Sequence, residues 1–104
     1  MTITVVNVRT AKQPFVYCGR RNARYGLPQS PLANPYQLER GADRDKVLEQ
    51  YRVWFYRQVE DGNKALLAEL AYLKDKAAQG DLYLGCWCAP AKCHCDVIKK
   101  YLET

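Results

Sequence analysis

The sequence predicts a small α/β domain: a sheet of about three strands with helices packed on it, in the order β-β-α-α-β-α. Two short runs rich in β-branched and aromatic residues open the chain, and a third lies near residue 82. Between them, two long segments place apolar residues at helical spacing. With 104 residues, 48% hydrophobic and 26% charged, the chain makes one domain over residues 1–104 with a modest core, which excludes a disordered protein.

Thr2 to Arg9 reads as the first strand, with Val5, Val6 and Val8 as its core. Apolar residues on both of its faces predict a central place in the sheet. Lys12-Gln13-Pro14 turns the chain into a second strand, Phe15 to Gly19, where Cys18 reads as a small buried hydrophobe. From Gly19 to Tyr36 the chain is basic and loop-like, and Pro28, Pro31 and Pro35 forbid a continuous helix. A loop of this length inside a compact domain is usually functional.

Asp43 caps a helix to about Val59, whose stripe of Val47, Leu48, Tyr51, Trp54, Phe55 and Val59 reads as core. Asn63 caps a second helix from Lys64 to about Ala78. Leu66, Leu67, Leu70, Leu73 and Ala77 form its buried face, and Gly80 ends it. Leu82 to Cys88 is the third strand, with Leu82, Leu84, Cys86 and Cys88 on one face and Tyr83 and Trp87 on the other. After the tight loop Ala89-Pro90-Ala91-Lys92, a last helix starts between Cys93 and Cys95 and turns Val97, Ile98, Tyr101 and Leu102 inward.

No window is long and apolar enough to span a bilayer, and the N-terminus reads as a strand rather than a signal peptide. Five cysteines, an odd count without a secretory signal, predict reduced thiols in a cytoplasm rather than a disulfide framework. The net charge of +5 is unevenly placed. Residues 1–40 hold six basic groups (Arg9, Lys12, Arg20, Arg21, Arg24 and Arg40) against Glu39, and the rest of the chain holds ten of each sign. Arginine presents a planar fork suited to phosphate or carboxylate, so an anionic partner is expected, although a solvated basic face gives the same composition.

Four of the five cysteines and the sole histidine fall within ten residues, as Cys86-Trp-Cys88 and Cys93-His94-Cys95. Thiolates and imidazole are zinc's ligands, so Cys86, Cys88, Cys93 and His94 form a candidate site with Cys95 as an alternative ligand. Both pairs are Cys-x-Cys rather than the Cys-x2-4-Cys of structural zinc sites. That spacing also suits an iron–sulfur cluster, the weaker alternative. Without metal, Cys93 at a helix N-terminus is the candidate nucleophile, because free backbone N–H groups stabilise its thiolate. His94 points roughly 100° away around the helix, so it is not automatically the base for Cys93. Asp96, in the first helical turn, offsets the dipole.

In an open α/β sheet, ligands bind beyond the carboxyl ends of the strands, beside a helix N-terminus. If the first strand is parallel to the third, Arg9 reaches the same rim as Cys88. Arg20 and Arg21 join them only if the second strand runs the same way, whereas its five-residue connector favours a hairpin.

The segments Val5–Arg9, Val16–Arg20, Pro31–Tyr36 and above all Leu84–Ile98 together resemble a small bacterial and phage family catalogued as a domain of unknown function, number 4326. The resemblance covers nearly the whole chain. It implies Asn7, Arg9, Gly19, Arg20, Asn34, Pro35, Cys86, Cys88, Pro90, Cys93, His94 and Asp96 as matched positions, so Asn7 joins the ligand set. Cys95 departs from the family pattern, where a small residue such as glycine follows the histidine. The family implies a site but no reaction.

The functional expectation is an intracellular domain binding a small anionic, nucleotide-like ligand. Arg9, Arg20 and Arg21 would grip the anion, Asn34 would fix the Asn-Pro-Tyr loop over it, and the Cys/His loop would form the floor. One alternative is a zinc-stabilised module binding single-stranded nucleic acid, with Tyr17, Tyr25 and Tyr36 stacking on bases. Another is a phage-type protein that binds a host factor.

Overall fold

The computed structural model describes residues 2–36, 43–89 and 91–104. Arg40 and Glu39, counted in the charge asymmetry, and Pro90 of the Cys-rich motif lie outside the described residues. The elements are β1 (Ile3–Asn7), β2 (Val16–Tyr17), a 3-10 turn (Ala23–Tyr25), α1 (Arg44–Glu60), α2 (Lys64–Gln79), β3 (Leu82–Cys86) and α3 (His94–Glu103). Each expected element is present within a few residues of its expected bounds.

The sheet order is β1-β3-β2, with both outer strands parallel to β3. Ile3 pairs with Leu82 and runs in register to Asn7 opposite Cys86, while Val16 and Tyr17 pair with Leu84 and Gly85. This corrects the expectation for β1, which is an edge strand. The central strand is β3, whose buried residues Leu82, Leu84, Gly85 and Cys86 fall on both faces. It also settles the direction of β2. The connector that favoured a hairpin instead carries the chain past β3 to its far edge, and two paired residues suffice there because Cys18 N–H adds a bond to Gly85 O at 3.1 Å.

Helix ends follow the local chemistry read from the sequence. Asp43 accepts from Asp45 N and Lys46 N, and Asn63 Oδ1 accepts from Leu66 N. Each such cap contributes about 1 kcal/mol. At α3, Cys93 is the N-cap and forms a capping box with Asp96, whose carboxylate accepts Cys93 N–H at 2.9 Å.

One core holds Leu82, Leu84, Cys86 and Cys18 from the sheet side, Tyr51 and Phe55 from α1, Leu66, Leu70 and Leu73 from α2, and Cys95, Ile98 and Leu102 from α3. Ile3 and Val5 pack against it, whereas Val6 and Val8 stay half-buried outside it. The proline-rich loop is anchored rather than merely superficial: Leu32 is fully buried, and its carbonyl accepts from Tyr51 Oη at 2.7 Å. Among the described residues, no helix is long and apolar enough to cross a membrane.

Gly85 is required by close packing in the middle of β3. A Cβ there would overlap the Phe15 ring and press on Val8. Gly85→Ala is therefore expected to destabilise the fold by about 1–3 kcal/mol, read as a lower denaturant midpoint. An unchanged midpoint would mean that Phe15 does not cover the strand.

Candidate functional site

β3 ends at Cys86, two residues earlier than its alternation predicts, because Trp87 and Cys88 leave the sheet to begin the loop into α3. The loop is held by the end of β1. Val8 N donates to Cys86 O at 2.9 Å, and Asn7 Nδ2 donates to Trp87 O at 3.1 Å and Ala89 O at 3.0 Å. Asn7 Oδ1 accepts from Arg9 N at 2.9 Å. The Asn7 amide thus positions the cysteine loop from behind.

The sulfurs of Cys86, Cys93 and Cys95 lie within 4.8 Å of one another, and all three residues are buried. Cys93 Sγ is 3.1 Å from Cys86 Sγ. Among the described residues this trio could hold a metal ion. Its electrostatics favour one shared thiolate on Cys86, whose pKa is pulled down by hydrogen bonds from the Cys93 and Cys95 thiols and by the N–H groups of Cys88 and Ala89. The same contact with Cys86 pushes Cys93 up. Cys95 is raised by its thiol neighbours, Cys18 first, then Cys86 and Cys93. A buried anion of this kind attracts a cation.

Cys88 and His94 are placed differently. Cys88 is half-buried and falls outside the trio. His94 Nε2 lies 2.6 Å from the Cys18 carbonyl, which can only accept, so Nε2 carries the proton. Burial, the largest influence on the ring, lowers its pKa and keeps it neutral. Tyr51 packs edge-on against it at 5.2 Å. Cys93, the expected nucleophile, is 2% exposed with its sulfur turned to Cys86. Cys88 is the thiol that meets solvent-accessible space.

That space is a cavity of about 350 Å³ beyond the carboxyl ends of β2 and β3, where Arg20, Arg21, Asn34, Trp87, Cys88 and His94 meet with Tyr17 and Tyr36. Because β2 runs parallel to β3, Arg20 and Arg21 arrive on the same rim as the α3 N-terminus. Arg20 Nε and one terminal nitrogen both donate to Asn34 O, at 3.0 and 2.7 Å, which clamps the Asn-Pro-Tyr loop. A wider groove of about 830 Å³ runs along Arg20, Asn34 and Trp54 but meets no cysteine or histidine. Arg9 sits over Trp87 with its guanidinium carbon 5.4 Å from the ring centroid, and it is absent from the cavity wall.

Sequence reasoning missed Arg44 and gave Tyr17 and Cys18 other roles. Arg44 opens α1 and donates to Lys92 O at 3.0 Å, bracing the cysteine loop. Tyr17 Oη receives the Trp87 indole N–H at 2.8 Å and donates to Arg20 O at 2.5 Å. Cys18, read as packing, lies beside the trio. None carries a local sequence signal, since each depends on the parallel course of β2 or the docking of α1.

A family model described as Domain of unknown function (DUF4326) matches residues 6–104. No curated protein and no solved structure matches the chain.

The hydrogen bond to Cys18 makes a specific expectation for the ring. At pH 7, long-range ¹H–¹⁵N spectra of His94 are expected to show the neutral Nε2–H tautomer. A charged ring or the Nδ1–H form would contradict this bond.

Proposed function

The chain belongs to the DUF4326 family of domains of unknown function, and within it we propose that this domain binds a small anionic, nucleotide-like ligand in the cavity beyond β2 and β3. The observation that carries the reading is the parallel β1-β3-β2 sheet, which brings two arginines, a helix N-terminus and the cysteine loop to one rim. This is the location of ligand sites in open α/β sheets. The cavity volume is that of a small-molecule site.

The lining supports both parts of such a ligand. Arg21 offers a charged fork to phosphate, while the Arg20 fork is already engaged by Asn34 and so orders the wall. Trp87, braced by Tyr17 and flanked by Tyr25 at 5.2 Å, presents an aromatic surface to a planar base. Neutral His94 and the Asn34 side chain supply polar groups without repelling an anion or attracting a second cation.

Beneath this cavity, Cys86, Cys93 and Cys95 hold zinc in a structural role. The donor set supports it: all three are thiols, one already favours the thiolate, and none of their sulfurs is more than 4.8 Å from another, close to the ~3.8 Å separation in a tetrahedral site with ~2.3 Å bonds. Bound zinc would neutralise the clustered thiolates and tie the end of β3 to the first turn of α3.

The test is calorimetric titration with ADP and with pyrophosphate at low salt. Both are expected to bind, and Arg21→Glu is expected to weaken binding by about tenfold or more, with a melting temperature close to wild type, since an exposed substitution of this kind shifts stability by less than about 0.5 kcal/mol. No binding of either compound, or binding indifferent to Arg21, would overturn the reading.

A further inference from the structure

The cavity and the wider groove share a wall. Arg20, Asn34 and Tyr36 line both the space of about 350 Å³ toward Trp87 and His94 and the space of about 830 Å³ toward Trp54. Each volume by itself is that of a small-molecule site, so a mononucleotide in the cavity leaves the groove unfilled. The two spaces are also close. Trp54 of α1 and His94 of the cavity both pack on the buried Tyr51, with ring centroids 5.5 and 5.2 Å from it, so one ring stands between them.

The geometry points to a dinucleotide as the ligand: two nucleosides joined through phosphate, one in the cavity and the other in the groove. This rests on the anion-binding reading above and adds a second base subsite to it. Trp54 is half-buried, which leaves part of its indole to a stacked base. Gln50, exposed and one turn earlier on the same face of α1, lines the groove beside it, and its amide can donate and accept at a base edge. The opposite wall is held by the protein itself. Tyr51 Oη donates to Leu32 O, Ser30 N donates to Gly19 O at 3.0 Å, and Gln29 Oε1 accepts from Arg21 N at 2.9 Å. The last bond ties the groove wall to the arginine that faces phosphate. A wall fixed in this way costs little ordering on binding.

Charge decides between a free dinucleotide and a nucleic-acid strand. Among the described residues lining the groove, Arg20 is the only charged one, and it stands where the groove meets the cavity. Its fork is taken by Asn34 O, but its charge is not neutralised by a described carboxylate: the ion pairs among the described residues are Arg52–Glu49 and Lys92–Asp45. With Arg21 beside it, positive charge is concentrated at the junction, where the bridging phosphates of a dinucleotide lie. A strand carries a phosphate at every nucleotide and takes its affinity from cations along its course. The described wall of the groove offers one cation, at its end.

Calorimetric titration with diadenosine diphosphate and with ADP-ribose at low salt tests this. Both carry one pyrophosphate diester, and they differ in the second base. Diadenosine diphosphate is expected to bind more tightly by about fivefold or more, the gain from one base stacked on an aromatic ring. Gln50→Glu sets a carboxylate in the groove and is expected to bring that affinity down to the level of ADP-ribose. Equal affinities in the wild-type protein, or a loss shared equally by both ligands in the variant, would overturn the second subsite while ADP binding still upheld the cavity. No binding of ADP or of either diester would overturn both readings. Tighter binding of a four-nucleotide oligodeoxyadenylate than of diadenosine diphosphate would overturn the free dinucleotide in favour of a nucleic-acid strand.

Discussion

The backbone pairing of β3 on both edges is the constraint from which the site follows. A strand with neighbours on either side fixes where each neighbour ends, and here both ends are chemically loaded. β1 finishes at Asn7, whose amide holds the carbonyls of Trp87 and Ala89. β2 finishes beside Gly85, which brings Cys18 and then Arg20 and Arg21 alongside the outgoing loop. Losing either pairing would separate the cysteine loop from one of its walls. The pairing is in turn possible because Gly85 has no side chain, so that Phe15 can close over the strand.

Sulfur and arginine occupy adjoining but distinct layers. The thiols lie in a dry interior, where more than one negative charge is costly without a cation, so protons are shared and Cys86 takes the single thiolate. The arginines lie on the solvent side of His94, where their charge is available to a ligand. His94 is the partition between the layers. Its ring bonds to a backbone carbonyl on one side and borders the cavity on the other, and it stays uncharged, so it adds to neither layer's electrostatics.

The helices were legible in the sequence almost to the residue because their signals are local. Asp43 and Asn63 cap by side-chain bonds to N–H groups two or three positions away, and the apolar stripes repeat within each helix. The sheet was only partly legible. Val5, Val6 and Val8 suggested a strand buried on both faces, but burial on both faces belongs to β3, whose second face is buried at Gly85, a residue that carries little strand signal. The course of β2 was hidden for a related reason. Connector length argued for a hairpin, and the actual path depends on β3, which comes more than sixty residues later. Within the candidate site, the crowding of cysteines was plain in the sequence, but their grouping was not. Which sulfurs meet is decided where the strand stops, and alternation alone could not reveal that Cys88 turns away.

The two helices between β2 and β3 give the domain a handle. At their junction Asp61 and Gly62 are exposed, and Gly62 adopts the left-handed conformation that a tight reversal needs. α1 has 17 residues, so this tip stands about 25 Å along the axis from Arg44, where the helix touches the cysteine loop. An affinity tag or fluorophore attached there would sit far from the cavity, and the domain could be immobilised or followed through that point with the cavity mouth unobstructed.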